Sequence, residues 1–285
     1  MIIGVVVTHA SPSTQLARCL GALLDDGGLD RLLVVDNGGS AQVPDRDDVE
    51  VIRTENRGFG AAANDGVQRA GELGADMIAL LNDDVVVRPG WLDPLADALA
   101  SDDRVGAVQP KLLFADREPP TINSLGVAID EFGAGHDIGF GEPDREVDAA
   151  DIVAFTGGAV LFRRSFLDQC GGFDERYFLY YEDVDLAARG RRLGWRYRCE
   201  PTSVVEHLGS ATTSAQPERT RYLQERNRLW CAFRNGDRRT IIRAKWLSVR
   251  RLRHDPKGVH AKAMVAGFAG APVRLWERSR WSRSR

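Results

Sequence analysis

An α/β protein with a helical C-terminal extension is the fold class that the sequence predicts, and three patterns predict it. Short apolar runs alternate with amphipathic segments early in the chain, as they do where a parallel sheet is built. Residues 106–153 are richer in Gly and Pro and less regular, which suits a mixed sheet with a long loop. From Pro217 onward the pattern is helical throughout.

The elements follow in order. Apolar runs at residues 2–8, 32–36, 49–53 and 77–81 read as strands, and residues 14–24 and 61–73 carry apolar side chains at helical spacing. Pro89 with Trp91 opens a further helix. This first part has the form of a Rossmann-like nucleotide-binding half. Regularity returns at residues 153–163, followed by a helix from Ser165 and another from about Asp183 to Arg192 that ends at Gly194. Residues 195–199 and 203–206 read as two short strands, and residues 217–233, 239–253 and 260–268 as helices. The division expected is residues 1–215 for the α/β domain and 216–285 for the extension.

With 285 residues, 43% hydrophobic and 28% charged, the chain can bury one sizeable core or a core with a helical appendage. A formal charge of -3 gives no reason to expect nucleic acid as a partner. The charge is uneven: Arg and Lys accumulate from Arg238 through Lys257 to Arg285 while acids thin out. Cys19, Cys170, Cys199 and Cys231 form no C-x-x-C pair, so neither a zinc knuckle nor a disulfide framework is indicated, and a reducing cytoplasm suits them. The run from Ile2 to Val7 has no basic stretch before it and reads as a first strand rather than a secretory segment. No apolar stretch approaches the ~20 residues of a spanning helix, so contact with a membrane is expected to be peripheral.

Two strands end in acids, Val35-Asp36-Asn37 and Leu81-Asn82-Asp83-Asp84. In an open α/β sheet ligands sit beyond the carboxyl ends of the strands, so these side chains should converge on one crevice, whereas a single such strand end would be read as turn capping. Asn82 and Asp84 stand two residues apart, which on an extended segment points both the same way and suits a hard cation bridging diphosphate oxygens. Gly58-Phe59-Gly60-Ala61-Ala62-Ala63 fits G-x-G-x-x-A but follows the third strand rather than the first. It reads instead as a helix start whose free N–H groups let a nucleotide or its sugar approach.

Gly157-Gly158 and Gly171-Gly172 allow close backbone approach to a ligand. Glu182-Asp183 stands at a helix start, where the dipole is expected to keep a carboxylate ionised and available as a general base. Asp185 is explained as helix capping and solubility. Glu206-His207 ends a strand before Gly209, a position that favours a ligating histidine.

The ordered series resembles the inverting family 2 glycosyltransferases of the GT-A fold, particularly bacterial rhamnosyl- and galactofuranosyltransferase-like members. It runs from Val5-Val6-Val7-Thr8-His9, through Val34-Val35-Asp36-Asn37-Gly38-Gly39-Ser40, Asn56-Arg57-Gly58-Phe59-Gly60 with Asn64 and Gly66, and Leu81-Asn82-Asp83-Asp84. It ends at Gly172-Phe173-Asp174-Glu175 and Tyr181-Glu182-Asp183-Val184-Asp185-Leu186, covering about the first 210 residues. The resemblance implies a dTDP- or UDP-linked sugar donor, a saccharide or lipid-linked acceptor and a divalent cation, Mn2+ or Mg2+. Thr8 and Asp36 would then contact the base, and Asn56, Arg57 and Asn64 would line the donor pocket with Gly60, Gly157 and Gly158. Asp83 would sit close to the ribose or diphosphate. Asp84 matches the last acid of the D-x-D motif, a metal ligand, with Asn82 in place of the first acid and therefore one less charge on the metal. Asp183 matches the catalytic base, Glu182 its substrate-contacting neighbour, and His207 the histidine that completes the metal site.

The extension admits two readings, a solvated cap with water-facing arginines or a surface for anionic lipid, since Trp230, Trp246, Trp276 and Trp281 lie among basic residues. The second would place the protein at the inner face of the cell membrane. Arg221, Arg226 and Arg228 are candidates for phosphate contacts or for salt bridges to the first domain. Two competitors stand beside the transferase reading. A sugar nucleotidylyltransferase would want a glycine-rich basic loop after the first strand, and Thr8-His9-Ala10-Ser11-Pro12 is not one. A non-catalytic nucleotide- or glycan-binding relative would be expected to have lost its acids.

Overall fold

The computed structural model describes residues 1–39, 41–208, 216–255 and 258–283. Ser40, Gly209, residue 215 at the expected domain boundary, Lys257 and Arg285 lie outside the described residues, as do the side chains of Arg280, Trp281 and Arg283.

Strands β1 (Ile2–Thr8), β2 (Arg31–Asn37), β3 (Val49–Thr54) and β4 (Met77–Asn82) run parallel in the order β4-β1-β2-β3. Their side chains alternate between two cores, because successive residues of a strand point to opposite faces. Ile3, Val5, Val7, Leu33 and Val35 face α2 (Phe59–Glu72), α4 (Arg164–Cys170) and α5 (Glu182–Arg192). Val6, Leu32 and Val34 face α1 (Ser13–Asp26) and α3 (Leu92–Ala100). Both faces are covered, so the strands are almost wholly apolar.

Beyond β4 the sheet turns mixed. β11 (Ala159–Arg163) is antiparallel to β4 and to β6 (Val105–Phe114), while β12 (Arg196–His207) is parallel to β6. β5 (Val85–Val87) and β10 (Ala150–Ile152) flank β12, and β7 (Ile122–Ser124) lies on β6, completing a ten-stranded sheet. A two-stranded ribbon, β8 (Val127–Ile129) with β9 (Gly135–Asp137), stands apart from it. Two sequence expectations change here. The two short strands expected at 195–199 and 203–206 are one strand, β12, whose register shifts between Glu200 and Val204. Pro201 lies in that shift and has no N–H to give the ladder. The regular run from residue 153 pairs as strand only from Ala159, because the glycines before it leave the ladder to form a turn.

The extension comprises α6 (Pro217–Asn235), α7 (Arg238–Leu252), α8 (Val259–Ala269) and α9 (Ala271–Arg283), the last in addition to the three helices expected individually. They share a small core of Leu229, Ala232, Phe233 and Ala244 with Met264 and Phe268. Arg228, Arg234 and Arg274 do not face water as the solvated-cap reading supposed; each is less than a tenth exposed and ion-paired. Asp185, expected as a solvated cap, is fully buried and accepts from Arg189 Nε (2.9 Å), Arg234 (3.0 Å), Asn235 (2.7 Å) and Tyr177 (3.3 Å). Asp174 in turn pairs with Arg234 and Arg274. Replacing Asp185 by Ala leaves the buried Arg189 without its carboxylate and takes from Arg234 one of its acidic partners. The expected cost is about 3–5 kcal/mol in a denaturant unfolding titration.

Candidate active site

Two cavities open at the carboxyl ends of β1, β2 and β4. The smaller, about 200 Å³, is lined by Val7, His9, Ser11, Asn37, Asn56, Gly58 and Asp83. The larger, about 1010 Å³, is lined by Gly157, Gly158, Asp137, Glu182, Asp183 and His207. Phe59, Asn82, Asp84, Leu179 and Thr220 belong to both, so the cavities meet where β4 ends.

Asp83 and Asp84 form the turn between β4 and β5, not the extended segment that the sequence suggested, and their carboxylates part company. Asp83 accepts from Ser11 Oγ (2.5 Å), and burial pushes its carboxyl up. Asp84 Oδ2 lies 3.1 Å from His207 Nε2, while Asp84 Oδ1 is buried with no hydrogen-bond partner among the described residues. His207 Nδ1 lies 3.1 Å from the side-chain oxygen of Asn123. In the tautomer that donates from Nδ1, the Nε2 lone pair faces the Asp84 carboxylate, two electron donors opposite one another; in the other, Nε2–H donates to it. An orphaned carboxylate oxygen beside an imidazole lone pair fits a divalent cation, with Asp84 and His207 as its holders. No cluster of three His, Cys, Asp or Glu side chains with metal-binding geometry occurs among the described residues, so a cation here would need oxygens from a ligand or from water.

Glu182 and Asp183 open α5, and the segment before them is strained. Phe178, Tyr180 and Tyr181 have φ of 67°, 70° and 71°, each costing about 1–3 kcal/mol unless the surroundings enforce it. Asn227 of α6, fully buried, enforces it by donating Nδ2 to the carbonyls of Tyr177 (3.0 Å), Leu179 (2.8 Å) and Tyr180 (2.8 Å). Arg226 adds a bond to the Tyr177 carbonyl (2.8 Å). The Phe178 carbonyl accepts from Phe59 N–H (2.8 Å) and presses on Gly58, whose φ of 95° and missing Cβ permit the contact. This is why G-x-G appears at this helix start: the glycine serves backbone packing against residue 178.

Asp183 Oδ2 accepts from Gly157 N–H (3.0 Å) and Oδ1 from Val184 N–H (2.7 Å). Asn82 N–H donates to the Gly158 carbonyl (2.9 Å), tying this glycine pair to the end of β4. The dipole was expected to hold these carboxyls ionised, but burial prevails and raises both. The charge of Asp183 pushes Glu182 up further, and Asp137 acts on Asp183 in the same sense. Asp137 lines the larger cavity, where the protein around its carboxyl displaces part of its hydration and raises it too.

Not every residue singled out in the sequence reaches the cavities. Asp36 is buried and spends its carboxylate on the N–H groups of Gly39 and Ala41. Thr8 is buried and its side chain acts on Asp83. Arg57 pairs with Asp65 and Glu175 on the surface. Asn64 accepts from Phe173 N–H (2.8 Å) and donates to its carbonyl, stapling α2 to the turn after α4. Gly60 packs on Phe173 and Glu182. Residues missed include Asn123 and Asp137, which sit in three-residue strands of the irregular middle segment and carry no local signal. Asn227, also missed, lies in a helix whose sequence signals are its arginines and Trp230.

A profile of the family described as "Glycosyltransferase like family 2" matches residues 3–232. The chain belongs to the family 2 glycosyltransferases. It is 29% identical over 242 residues to an N-acetylglucosaminyl-diphospho-decaprenol L-rhamnosyltransferase of Mycobacterium tuberculosis, covering 76% of this chain and 79% of the relative. It is 33% identical over 157 residues to the O-antigen biosynthesis protein RfbC of Myxococcus xanthus, covering 52% of this chain and 12% of that protein. Among solved structures, GalNAc-T7 with UDP, GalNAc and Mn2+ superposes with a TM-score of 0.67 at 15% identity, covering 90% of this chain and 54% of that one. The mannosyltransferase PcManGT from Pyrobaculum calidifontis, with GDP-Man and Mn2+, gives 0.60 at 18% identity over 98% and 84%. The glycosyltransferase has the GT-A fold expected from the sequence, and the match extends into α6.

The raised carboxyls have a consequence for the stability of the glycosyltransferase. A carboxyl whose folded pKa lies above its unfolded value is no burden below the unfolded value and costs stability as pH rises through the interval between the two. Glu182→Gln removes that cost. Its melting temperature is expected to exceed that of the wild type in mildly alkaline buffer, with the difference shrinking in acid, as differential scanning calorimetry would read.

Proposed function

We propose that this glycosyltransferase moves a hexosyl group, rhamnosyl or similar, from a dTDP- or UDP-linked donor to a saccharide or lipid-linked acceptor, with inversion. The observation that carries the reading is the junction of two cavities at Asn82 and Asp84, with the Asp183 carboxylate facing the larger. The smaller suits a nucleoside and the larger a sugar with its acceptor, the diphosphate lying between. The acceptor of the M. tuberculosis relative is by its name a lipid diphosphate carrying a sugar.

On this reading Asp183 takes the proton of an acceptor hydroxyl as that oxygen attacks the anomeric carbon from the face opposite the diphosphate. The bond from the anomeric carbon to the diphosphate oxygen breaks, and the nucleoside diphosphate leaves with the electron pair. A carboxyl raised by burial is a stronger base than an ordinary aspartate. Glu182 is 6% exposed, so its part is to shape the pocket beside the base. Asp84 and His207 would hold Mn2+ or Mg2+, which supplies positive charge for the departing diphosphate when bound, and Asn82 and Asp83 would lie against the donor. Asn56, Gly157 and Gly158 would contact the donor directly. Thr8, Asp36, Arg57, Gly60 and Asn64 would act by fixing the loops around it.

Calorimetric titration with dTDP, UDP and GDP, in Mn2+ or in EDTA, tests the donor site. One nucleotide should bind with metal dependence, and Asp84→Ala should abolish that dependence; binding of none would favour a non-catalytic relative. Asp183→Asn should lower kcat by about 10²–10⁴-fold with nucleotide affinity nearly unchanged. The rate should fall with acid at a pH above an ordinary aspartate's range, since the base works only when ionised and its carboxyl is raised.

We further read the extension as the membrane-facing part. No helix among the described residues is long and apolar enough to cross a membrane. On α7, Ile242, Trp246 and Val249 are each more than half exposed at a spacing of four and three, a single stripe flanked by Arg243, Lys245 and Arg250. Co-sedimentation with vesicles containing anionic lipid should weaken about tenfold in the Ile242→Ser/Trp246→Ala variant. Unchanged binding would leave the extension with its structural role alone.

A further inference from the structure

The larger cavity has two chemically distinct linings. The sheet and α5 contribute acids, whereas α6, α7, the turn after α7 and the start of α8 contribute Arg221, Arg251, His254 and His260. None of these four has a part in the reaction outlined above. They are not neutralised by the acids nearest to them in the fold. Glu225, buried in α6, is already held by Arg228 (2.8 Å), Ser248 and Arg251 (2.9 Å), with His260 at 3.9 Å. One carboxylate thus faces two guanidinium groups. Asp255 spends an oxygen on the backbone N–H of His260 (3.0 Å). Counting Arg221, Arg228 and Arg251 against Glu225 and Asp255 leaves one net positive charge on this wall with both histidines neutral. Arg221 is exposed and forms no ion pair with the described residues, and Arg251 uses one nitrogen on Glu225 while its side chain is half exposed.

We infer that this wall binds the diphosphate bridge joining the acceptor sugar to its lipid carrier, with Arg221 and Arg251 as the principal contacts; the inference rests on the lipid-linked acceptor proposed above. Guanidinium groups pair with phosphate oxygens through two parallel bonds, and imidazole N–H groups can supplement them. A diphosphate offers enough oxygens for both arginines at once. The acids elsewhere in the cavity keep the two functions apart, since they repel an anion unless a cation intervenes. The carrier has an exit as well. Arg251 lies on α7, the helix whose exposed stripe of Ile242, Trp246 and Val249 suits a lipid surface, so one helix would hold the phosphates at the cavity and rest against the bilayer that keeps the chain.

The test uses the full chain saturated with its nucleoside diphosphate and Mn2+, so that the donor site is filled, and farnesyl diphosphate as the probe. Farnesyl diphosphate should bind without displacing the nucleotide, and Arg221→Gln/Arg251→Gln should weaken it by about tenfold or more, the loss of charge-assisted bonds. Nucleotide affinity should stay as in the wild type. Farnesol should not bind in the absence of vesicles, and inorganic pyrophosphate should bind more weakly than farnesyl diphosphate with the same arginine dependence. Farnesyl diphosphate that fails to bind, binds equally to the double variant or is displaced by the nucleotide would overturn the inference. Pyrophosphate binding as tightly as farnesyl diphosphate would overturn the assignment to a lipid carrier. Absence of nucleotide binding in the wild type would instead count against the transferase reading itself.

Discussion

The Asp185 carboxylate has no access to water and accepts from four side chains on three elements, Tyr177 before α5, Arg189 within it, and Arg234 and Asn235 at the end of α6. Removing a carboxylate from water costs several kcal/mol, and only a full set of donors offsets it. The arrangement therefore tolerates few alternatives. Arg234 extends the network to Asp174, which also receives Arg176 and Arg274 and is held well below the usual carboxylate range despite burial. The helices of the extension are thereby fixed to the segment that carries Glu182 and Asp183.

That fixation explains how a costly backbone persists. Three non-glycine residues with positive φ precede α5, and an isolated loop would relax from that state. Asn227 and Arg226 hold its carbonyls, and the ion pairs of Arg234 on α6 and Arg274 on α9 with Asp174 tie the same helices to the neighbouring segment. The extension is thus a structural part of the site, since it determines where the carboxylates of α5 point. The same helices supply the basic lining of the larger cavity, so acceptor-facing and base-positioning features come from one packing unit.

Burial also sets the chemistry of the carboxylates. Gly157 and Val184 donate N–H groups to Asp183, and the start of α5 adds its dipole, yet desolvation outweighs all three and raises the carboxyl. The sequence could show the helix start and its acids, which argue for low values, but not the enclosure that reverses the sign. Asp36 and Arg57 mark the same boundary of legibility. Their residue types and strand-end positions promised contact with a ligand, and the folded chain gives one to a turn and the other to a surface ion pair. Asn123, Asp137 and Asn227 lay outside any recognisable pattern because their partners are 84, 46 and about 50 residues distant in the chain or more diffuse still.

The sequence by itself determined the α/β class, the parallel half with its boundaries to within a residue or two, the helical extension and the ordered motif series that marks the family. All of these rest on local periodicity, strand-end polarity and short-range glycine chemistry, which a linear reading can see. Tertiary structure alone decided that Asp83 and Asp84 diverge at a turn, that Asp185 is a buried anchor and that Arg228 and Arg234 of α6 and Arg274 of α9 are core residues. It also decided that the carboxyls of α5 are raised. These are matters of desolvation and of contacts between elements far apart in the chain, and no residue carries such information until the fold has chosen its neighbours.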